Sequence, residues 1–298
     1  MKSEDGNIEG SVNQNRGFES RDSASSSKRS QPVAGRWFDA HLHVDLYPEE
    51  EREPLLSEAF AGGITGVVAV SMHLESSRTN QALASRFPGR VRPAYGFHPE
   101  QPLPGEAAIE ELLRWIRVRF ASGERFVIGE VGLPYYTRTE SEAAGRPFDE
   151  MPYIVLLEKF IKLASDTQLP IVLHAVYEDA DKSLDLLEKH RVRQAHFHWF
   201  KGSSATIDRM IKAGYYISIT PDVEYEPEIQ RLVRAYPIEL MMTETDGPWP
   251  FEGPFSGERT KPLMVRQVVD KIAELKGLAK EDAELRLWRN AASFYGWV

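Results

Sequence analysis

Eight short apolar runs, rich in β-branched and aromatic residues, alternate along this chain with segments whose apolar residues lie three or four positions apart. A period of two is typical of strands and a period near 3.6 of helices, so the alternation predicts right-handed βαβ units with a parallel sheet. Eight such units match a closed (β/α)8 TIM barrel, which typically needs about 250 residues. A doubly wound open sheet is the alternative, but it would gather functional groups at one switch point.

The predicted elements follow from these periods and from the turn residues between them. The predicted strands are Trp37 to Val44, Ile64 to Ser71, Val91 to Phe97, Phe126 to Leu133, Pro170 to Ala175, Ala195 to Phe200, Tyr215 to Thr220 and Leu240 to Thr245. The predicted helices are Pro54 to Phe60, Ala107 to Phe120, Tyr153 to Ala164, Leu184 to His190, Ala205 to Ala213, Glu228 to Tyr236 and Leu263 to Leu275. Two long connections, Tyr135 to Met151 and Gly247 to Thr260, are expected at the mouth of the barrel.

Composition divides the chain into two parts and excludes some kinds of site. Residues 1–36 contain eight serines and no run that could pack, so we expect a disordered tail before a barrel domain at 37–298. Neither a signal peptide nor a run of roughly 20 apolar residues is evident, so a cytoplasmic protein without membrane contact is expected. There is no cysteine, which excludes thiolate ligands and a disulfide-linked partner.

The chain carries a net charge of −9. This balance argues against broad adhesion to nucleic acid, because such adhesion depends on many Lys and Arg side chains that neutralise phosphates. A local basic group beside a bound cation could still accept one phosphate. The oligomeric state is left open by these patterns.

Histidines and carboxylates recur where the predicted strands end, and a barrel delivers such residues to one mouth. The candidates are His41, His43, Glu130, His174, His198 and Asp246. Two histidines two positions apart on a strand point the same way, so His41 and His43 can reach one ion. Glu130 follows an apolar run that would be buried on both faces, where an unpaired carboxylate is costly and a cation offsets the cost.

A plainer interpretation exists for each residue taken singly. A barrel histidine is more often a hydrogen-bonded core or rim residue than a ligand, and a strand-end aspartate often caps the next helix. Together, four imidazoles and two carboxylates without sulfur suit Zn, Mn, Fe or Co, with Mg less well served by nitrogen. The number of ligands exceeds one tetrahedral site, so two metals bridged by Glu130 are predicted. Asp39 lies in phase with the two histidines and could accept an imidazole N–H.

Several motifs in a fixed order add a family resemblance. They are Phe38-Asp39-Ala40-His41-Leu42-His43, Gly96-Phe97-His98-Pro99, Ile128-Gly129-Glu130-Val131-Gly132-Leu133, Leu173-His174, His198-Trp199-Phe200-Lys201-Gly202 and Glu244-Thr245-Asp246-Gly247-Pro248. From about Trp37 to Gly296, the chain resembles the TatD family of metal-dependent hydrolases. This resemblance implies an amidohydrolase-like barrel with a two-metal centre and, as in characterised members, a deoxyribonuclease, often a 3′ to 5′ exonuclease assisted by Mg²⁺.

The resemblance also implies roles for individual residues. His41 and His43 would hold one metal with Asp246, and His174 and His198 would hold the other, with Glu130 as the bridge. The metals, Mg, Mn or Zn, would activate a hydroxide for attack on a phosphodiester of DNA or a nucleotide, and Asp246 and Glu130 would be catalytic. His98 and Lys201 would face the substrate phosphate. Outside the motifs, Arg138 and Arg259 in the predicted long connections are weaker candidates for the same task. His196 would belong to the support of the site or to the core.

Three positions differ from the family pattern, with Glu100, Pro134 and Val176 where His, Asp and Arg are common. Each change is expected to remove a charged or polar group near the mouth, so the metal cage is kept while the surroundings of the substrate are altered. A hydrolase of carboxylic esters or amides, such as an aminoacyl-tRNA ester or a cyclic amide, is therefore the alternative function. A barrel that binds without catalysis is a further alternative, disfavoured because buried ligands without a metal would be uncompensated.

Overall fold

The computed structural model describes residues 36–297 as a single eight-stranded parallel sheet. The strands pair in chain order and are β1 Trp37–Leu42, β2 Ile64–Ala69, β3 Val91–Tyr95, β4 Val127–Gly132, β5 Ile171–His174, β6 Ala195–Phe197, β7 Tyr216–Ile219 and β8 Met241–Thr243. All eight predicted strands are present, and each ends one to three residues earlier than predicted. The predicted disordered tail, apart from its last residue, lies outside the described residues.

The sheet closes because the chain beyond β8 lies against β1. The Asp246 N–H donates to the His41 carbonyl at 3.0 Å, and the His43 N–H donates to the Gly247 carbonyl at 2.9 Å. Closer to the strand itself, the Thr243 hydroxyl donates to the Phe38 carbonyl at 2.8 Å. The architecture is thus a (β/α)8 TIM barrel, as predicted, and the open-sheet alternative is wrong.

Helices surround the strands. In the described residues they are α1 Glu49–Ala61, α2 Leu74–Arg86, α3 Glu106–Ala121, α4 Tyr135–Ala143, α5 Met151–Thr167, α6 Glu178–Lys189, α7 Ser204–Ala213, α8 Pro227–Ala235, α9 Val265–Lys276 and α10 Lys280–Phe294. The seven predicted helices correspond to α1, α3 and α5 to α9. No helix between residues 36 and 297 has both the length and the apolar content needed to cross a bilayer.

Three helices, α2, α4 and α10, were not predicted. The segment predicted as a long connection, Tyr135 to Met151, contains α4, so only a short irregular stretch remains before α5. Both α2 and α4 are poor in large apolar residues, and their sequences therefore carry little helical periodicity. The first turn of α2 is capped by the neighbouring His73, whose Nδ1 accepts the Ser76 N–H at 3.4 Å. The first turn of α4 is instead fixed by Glu100, a partner distant along the chain that a local pattern does not reveal.

Two glycines of β4, Gly129 and Gly132, let this strand approach β5 closely. Gly129 has φ 148°, and a Cβ there would lie 2.8 Å from that of Val172. A Cβ on Gly132 would collide with the carbonyl oxygen of His174. Glu130 and His174, the functional candidates on these strands, can therefore lie side by side.

Candidate active site

The two histidines at the end of β1 face the same point, as their spacing predicts. Their Nε2 atoms lie 3.4 Å apart. His41 Nε2 lies 3.1 Å from Glu130 Oε2 and 3.3 Å from Asp246 Oδ1, and the matching distances from His43 are 3.2 and 3.5 Å. Four ligand atoms, two nitrogens and two carboxylate oxygens, converge here.

A second group lies on the other side of the same glutamate. His174 Nδ1 is 3.1 Å and His198 Nε2 is 2.8 Å from Glu130 Oε1, and the two nitrogens are 3.2 Å from each other. Glu130 thus directs one carboxylate oxygen to each pair of histidines. It is completely buried, as its place in an apolar strand predicts.

The donor set fits a metal ion. Glu130 Oε2 and Asp246 Oδ1 are buried and accept no hydrogen bond from any described group, although imidazole nitrogens lie around both. Buried carboxylate oxygens without donors are costly, whereas lone pairs that converge on a cation are stabilised. Within 4.8 Å of one another, the ligand atoms of His41, His43 and Asp246 form one group that could hold a metal, and those of Glu130, His174 and His198 form another.

The protonation of the site shows how strongly its charges interact. Burial opposes ionisation of Glu130, yet His98, His198 and His41 hold its pKa well below the usual range. Burial would lower the pKa of His174, but hydrogen bonds with Glu100 and Glu130 raise it to about 9. Burial raises the pKa of Asp246 to about 7, although His198 and His43 act in the opposite direction. Protons on imidazoles thus balance the buried carboxylates when no cation is bound.

Comparison with known proteins agrees with this geometry. Residues 38–296 match the model of the family described as TatD related DNase. This chain belongs to the TatD-related DNase family. It is therefore a metal-dependent hydrolase that acts on ester bonds and has a TIM-barrel fold.

Individual relatives cover nearly the same region. The chain is 36% identical over 258 residues to an uncharacterized metal-dependent hydrolase of Haemophilus influenzae, covering 87% of this chain and 98% of that protein. It is 26% identical over 244 residues to the 3′-5′ ssDNA/RNA exonuclease TatD of Escherichia fergusonii, covering 78% and 87%. The fold is similar to the crystal structure of YJJV, a TatD homolog from Escherichia coli, with a TM-score of 0.76 and 23% identity over 89% of this chain and 99% of that one.

Asp39 supports the site in a different way from the one predicted. Its carboxylate accepts hydrogen bonds from the N–H groups of His41 at 3.3 Å and Thr245 at 3.0 Å, and from the Thr245 hydroxyl at 2.6 Å. It does not accept an imidazole N–H, because within a strand it lies below the histidine rings and beside the backbone of the neighbouring segment. Asp39 therefore links β1 to Thr245, the residue before Asp246. Asp246 itself has φ 48°.

Glu100 is a functional residue that sequence reasoning missed. The expectation that this departure from the family removes a polar group is wrong, since Glu100 adds a carboxylate 3.2 Å from His174 Nε2. The same carboxylate accepts the N–H groups of Tyr136 at 2.9 Å and Thr137 at 2.7 Å in the first turn of α4. Glu100 thus fixes the orientation of the His174 ring and caps the N-terminus of α4. Its position after the His98-Pro99 motif was the only available signal.

Glu244 is a second missed residue. It is buried in the motif before Asp246, and its Oε1 accepts the Trp199 N–H at 2.8 Å and lies 3.7 Å from His198 Nδ1. Its other oxygen accepts the Ser218 hydroxyl at 2.5 Å. These contacts orient the strand end that carries His198. The sequence signal was a glutamate in an otherwise apolar run, two positions before Asp246 and therefore in phase with it.

The other predicted residues divide between the site and the core. His98 lies beside the site, with Nε2 3.5 Å from Glu130 Oε1, and its Nδ1 accepts the Glu100 N–H at 3.1 Å. His196 lies in the core, hydrogen-bonded to the Tyr295 hydroxyl at 2.6 Å and to Ser218 at 2.5 Å.

The candidate cations differ in how fully they are engaged. Arg138 is occupied by carboxylates, including Glu178 at 2.7 Å and Asp179 at 3.1 Å. Arg259 pairs with Glu51 and covers the Tyr47 ring. Lys201 instead places its Nζ over the Trp199 ring, 5.2 Å from the centroid. Of the three, Lys201 is the one that forms no ion pair with another described residue.

Proposed function

We propose that this chain is a divalent-metal-dependent phosphodiesterase that removes nucleotides from DNA ends, as a 3′ to 5′ deoxyribonuclease, or hydrolyses short nucleotides. The observation that carries the proposal is Glu130, whose two oxygens each face a separate pair of histidines. The family's description as DNases and the exonuclease name of the relative from Escherichia fergusonii support the choice of substrate.

Two divalent ions, Mg, Mn or Zn, fit this arrangement. His41, His43 and Asp246 would hold one ion and His174 and His198 the other, with Glu130 shared. Such ions lower the pKa of a water ligand and stabilise negative charge on phosphoryl oxygens. Glu130 and the five other candidate ligands would fix the spacing of these charges, because each lies in the carboxyl-terminal half of a strand or just beyond it.

The chain's own side chains account for the remaining tasks. Asp246 directs Oδ1 towards His41 and His43, which leaves Oδ2 to accept the proton that the attacking nucleophile loses. We assign His98 and Lys201 to the substrate phosphate, His98 beside Glu130 and Lys201 at the rim. Asp39 holds β1 against the segment that carries Asp246.

The first experiment combines elemental analysis with digestion of a 3′-end-labelled single-stranded oligonucleotide, with and without Mg²⁺ or Mn²⁺. We expect about two metals per chain and release of mononucleotides. Asp246→Asn should lower the rate at least about 100-fold, because a general base commonly contributes that much. The matched control is Asp208→Asn, an exposed residue of α7, which should cleave like the wild type. Full activity of Asp246→Asn would refute the proposal.

One observation favours a second candidate, a hydrolase of carboxylic esters or amides such as an aminoacyl ester of tRNA or a cyclic amide. Glu100 places a carboxylate next to His174, and buried Val176 follows β5, so this side of the mouth repels a second phosphate. Bound metal with ester hydrolysis, and no cleavage of phosphodiesters, would decide for this candidate.

A further inference from the structure

Three large aromatic side chains are exposed among residues 36–297, and two of them stand beside the candidate active site. Tyr136 is 47% exposed and Trp249 is 58% exposed. Tyr136 follows β4 in the first turn of α4, and Trp249 lies in the turn that follows β8. In a ring of eight strands in chain order, β4 and β8 are opposite each other. The two rings therefore flank the cluster of ligands from opposite sides.

The Tyr136 ring is held in place at the side of the second histidine pair. Its centroid lies 6.0 Å from the His174 ring in an edge-on arrangement, and 5.3 Å from the Tyr135 ring. The backbone beneath it is fixed because its N–H donates to Glu100. An aromatic ring that is both exposed and fixed loses little entropy on binding a flat partner.

The Trp249 ring is supported in a similar manner at the side of Asp246. The backbone N–H of Trp249 donates to the Asp246 carbonyl at 3.1 Å. The Trp249 ring centroid lies 6.0 Å from that of Trp199. Trp199 is itself fixed, since its indole N–H donates to Asp222 Oδ2 at 2.6 Å and its ring packs 5.6 Å from Phe251. Packing within the loop therefore accounts for Phe251, which is buried, but not for the exposure of Trp249.

A cation accompanies the second ring. Lys201 Nζ lies over Trp199, the ring that supports Trp249, and it forms no ion pair with a residue in the described part of the chain. An aromatic face with a neighbouring ammonium group suits a base and its phosphate together. By contrast, Glu100 and Val176 leave the Tyr136 side without a cation of this kind, so that side suits a base more than a further phosphate.

We propose that Tyr136 and Trp249 are two base-stacking subsites that hold the nucleobases on either side of the scissile phosphodiester. This inference rests on the proposed phosphodiesterase function and narrows its substrate to nucleotides with two unpaired bases. Stacking on a ring face requires a base that is free of its complementary strand, and it is tolerant of base identity. The smallest full substrate is therefore a dinucleotide, and a duplex is cleaved only where its end is frayed.

Steady-state kinetics with thymidylyl-3′,5′-thymidine and the metal-loaded enzyme test this proposal. Tyr136→Ala and Trp249→Ala should each raise KM about 10-fold and leave kcat within a few-fold, because each variant lacks the ring on which one base stacks. Tyr136→Phe and Trp249→Phe keep a ring and should keep KM within about twofold of wild type. Phe120→Ala removes an exposed ring of α3, far from the mouth, and is the matched control.

A second substrate distinguishes stacking from a general loss of structure. For the wild type, a dinucleotide analogue that lacks one base should have a raised KM. That KM should equal the one measured for the full dinucleotide with the alanine variant that lacks the ring for the same base. In that variant, removal of the corresponding base should cause no further loss, since each pair of changes removes the same contact. Equal KM values in the wild type and both alanine variants, or losses that simply add, would overturn the proposal.

Failure of the proposed function has a separate signature. If the metal-loaded wild type cleaves no phosphodiester, calorimetric titration with the same dinucleotide replaces the kinetics. Weaker binding by both alanine variants, with wild-type binding by Phe120→Ala, would then support the stacking subsites without the nuclease. No binding by the wild type, or equal binding by all variants, would overturn them.

Discussion

At the scale of single residues, the site depends on carboxylates placed among imidazoles. Glu130 lies between two pairs of histidines. Glu100 contacts His174, and Glu244 contacts His198, in each case at the ring nitrogen that does not face Glu130. Partners of this kind fix the orientation of a ligand ring and raise its basicity, so their removal weakens metal binding even though they do not touch the metal.

Glu100→Gln should therefore lower metal affinity about 10-fold to 100-fold, the usual effect of removing such a partner. Glutamine puts an N–H₂ group opposite either the His174 ring or the first N–H groups of α4, where an acceptor is needed. Calorimetric titration of Mn²⁺ into the metal-free protein measures the change. Glu110→Gln, which removes an exposed partner of Lys159, is the control, and equal affinities for the two variants would contradict the role assigned to Glu100.

At the scale of elements, α4 shows how a sequence with little helical pattern becomes a helix at the mouth. Glu100 accepts the N–H groups of the first turn, which have no partner within the helix. The negative charge of Glu100 is also favourable there, because the N-terminal end of a helix dipole is positive. Arg138, one turn later, is buried and binds Glu178 and Asp179 of α6. Residues from other βα units thus fix the N-terminal half of the helix, and this holds Tyr136 in place.

Arg138→Met should lower the free energy of unfolding by about 2 kcal/mol, because buried Asp179 would lose one of its two cationic partners and keep only Lys182, at 2.8 Å. Urea denaturation of the metal-loaded protein measures this change. For comparison, Arg86→Met removes a pair whose side chains are 64% and 42% exposed, and it should cost less than about 1 kcal/mol. Similar losses for both variants would show that Arg138 is not a structural anchor.

At the scale of the whole molecule, the candidate ligands on or just after β1, β4, β5, β6 and β8 meet at one end because the barrel closes. The concentrated charge makes the stability of the metal-free protein depend on pH. His174 has a pKa of about 9, above its ordinary value of 6.5. A raised pKa contributes stability that is fully present below the unfolded value of 6.5 and is lost as the pH rises through the folded value of 9. Burial acts against protonation of His43 and His198, yet interactions with Glu130 raise the pKa of each in the same direction.

The metal-free protein should accordingly lose up to about 3 kcal/mol of stability through His174 as the pH rises from about 6.5 to 9, at about 1.4 kcal/mol per pKa unit, and His43 and His198 should act in the same direction. Metal binding requires neutral imidazoles and strengthens with pH, so saturating Mn²⁺ should abolish or reverse the loss. Thermal unfolding with chelator or with Mn²⁺ across this range checks both statements. A metal-free stability that is flat or rises between these pH values would contradict the assigned protonation.

Sequence patterns by themselves determined the strands, the barrel class and the positions of His41 and His43. Those features depend on local periodicity, and the rule that functional side chains lie at the carboxyl ends of barrel strands extends it to Glu130, His174, His198 and Asp246. Motif order then identified the family, and the family model confirms it over residues 38–296.

Only the tertiary structure decided which oxygen of Glu130 faces which histidines, that Asp39 binds backbone N–H groups, and that Glu100 joins His174 to α4. Each of these contacts joins segments that are distant along the chain, such as Asp39 and Thr245, which are 206 positions apart. Local propensity contains no term for such pairs, because hydrogen bonds and charge interactions depend on distance in space. For the same reason α4, whose N-terminal half is held by residues of other units, was missed as a helix, whereas the apolar strands were found.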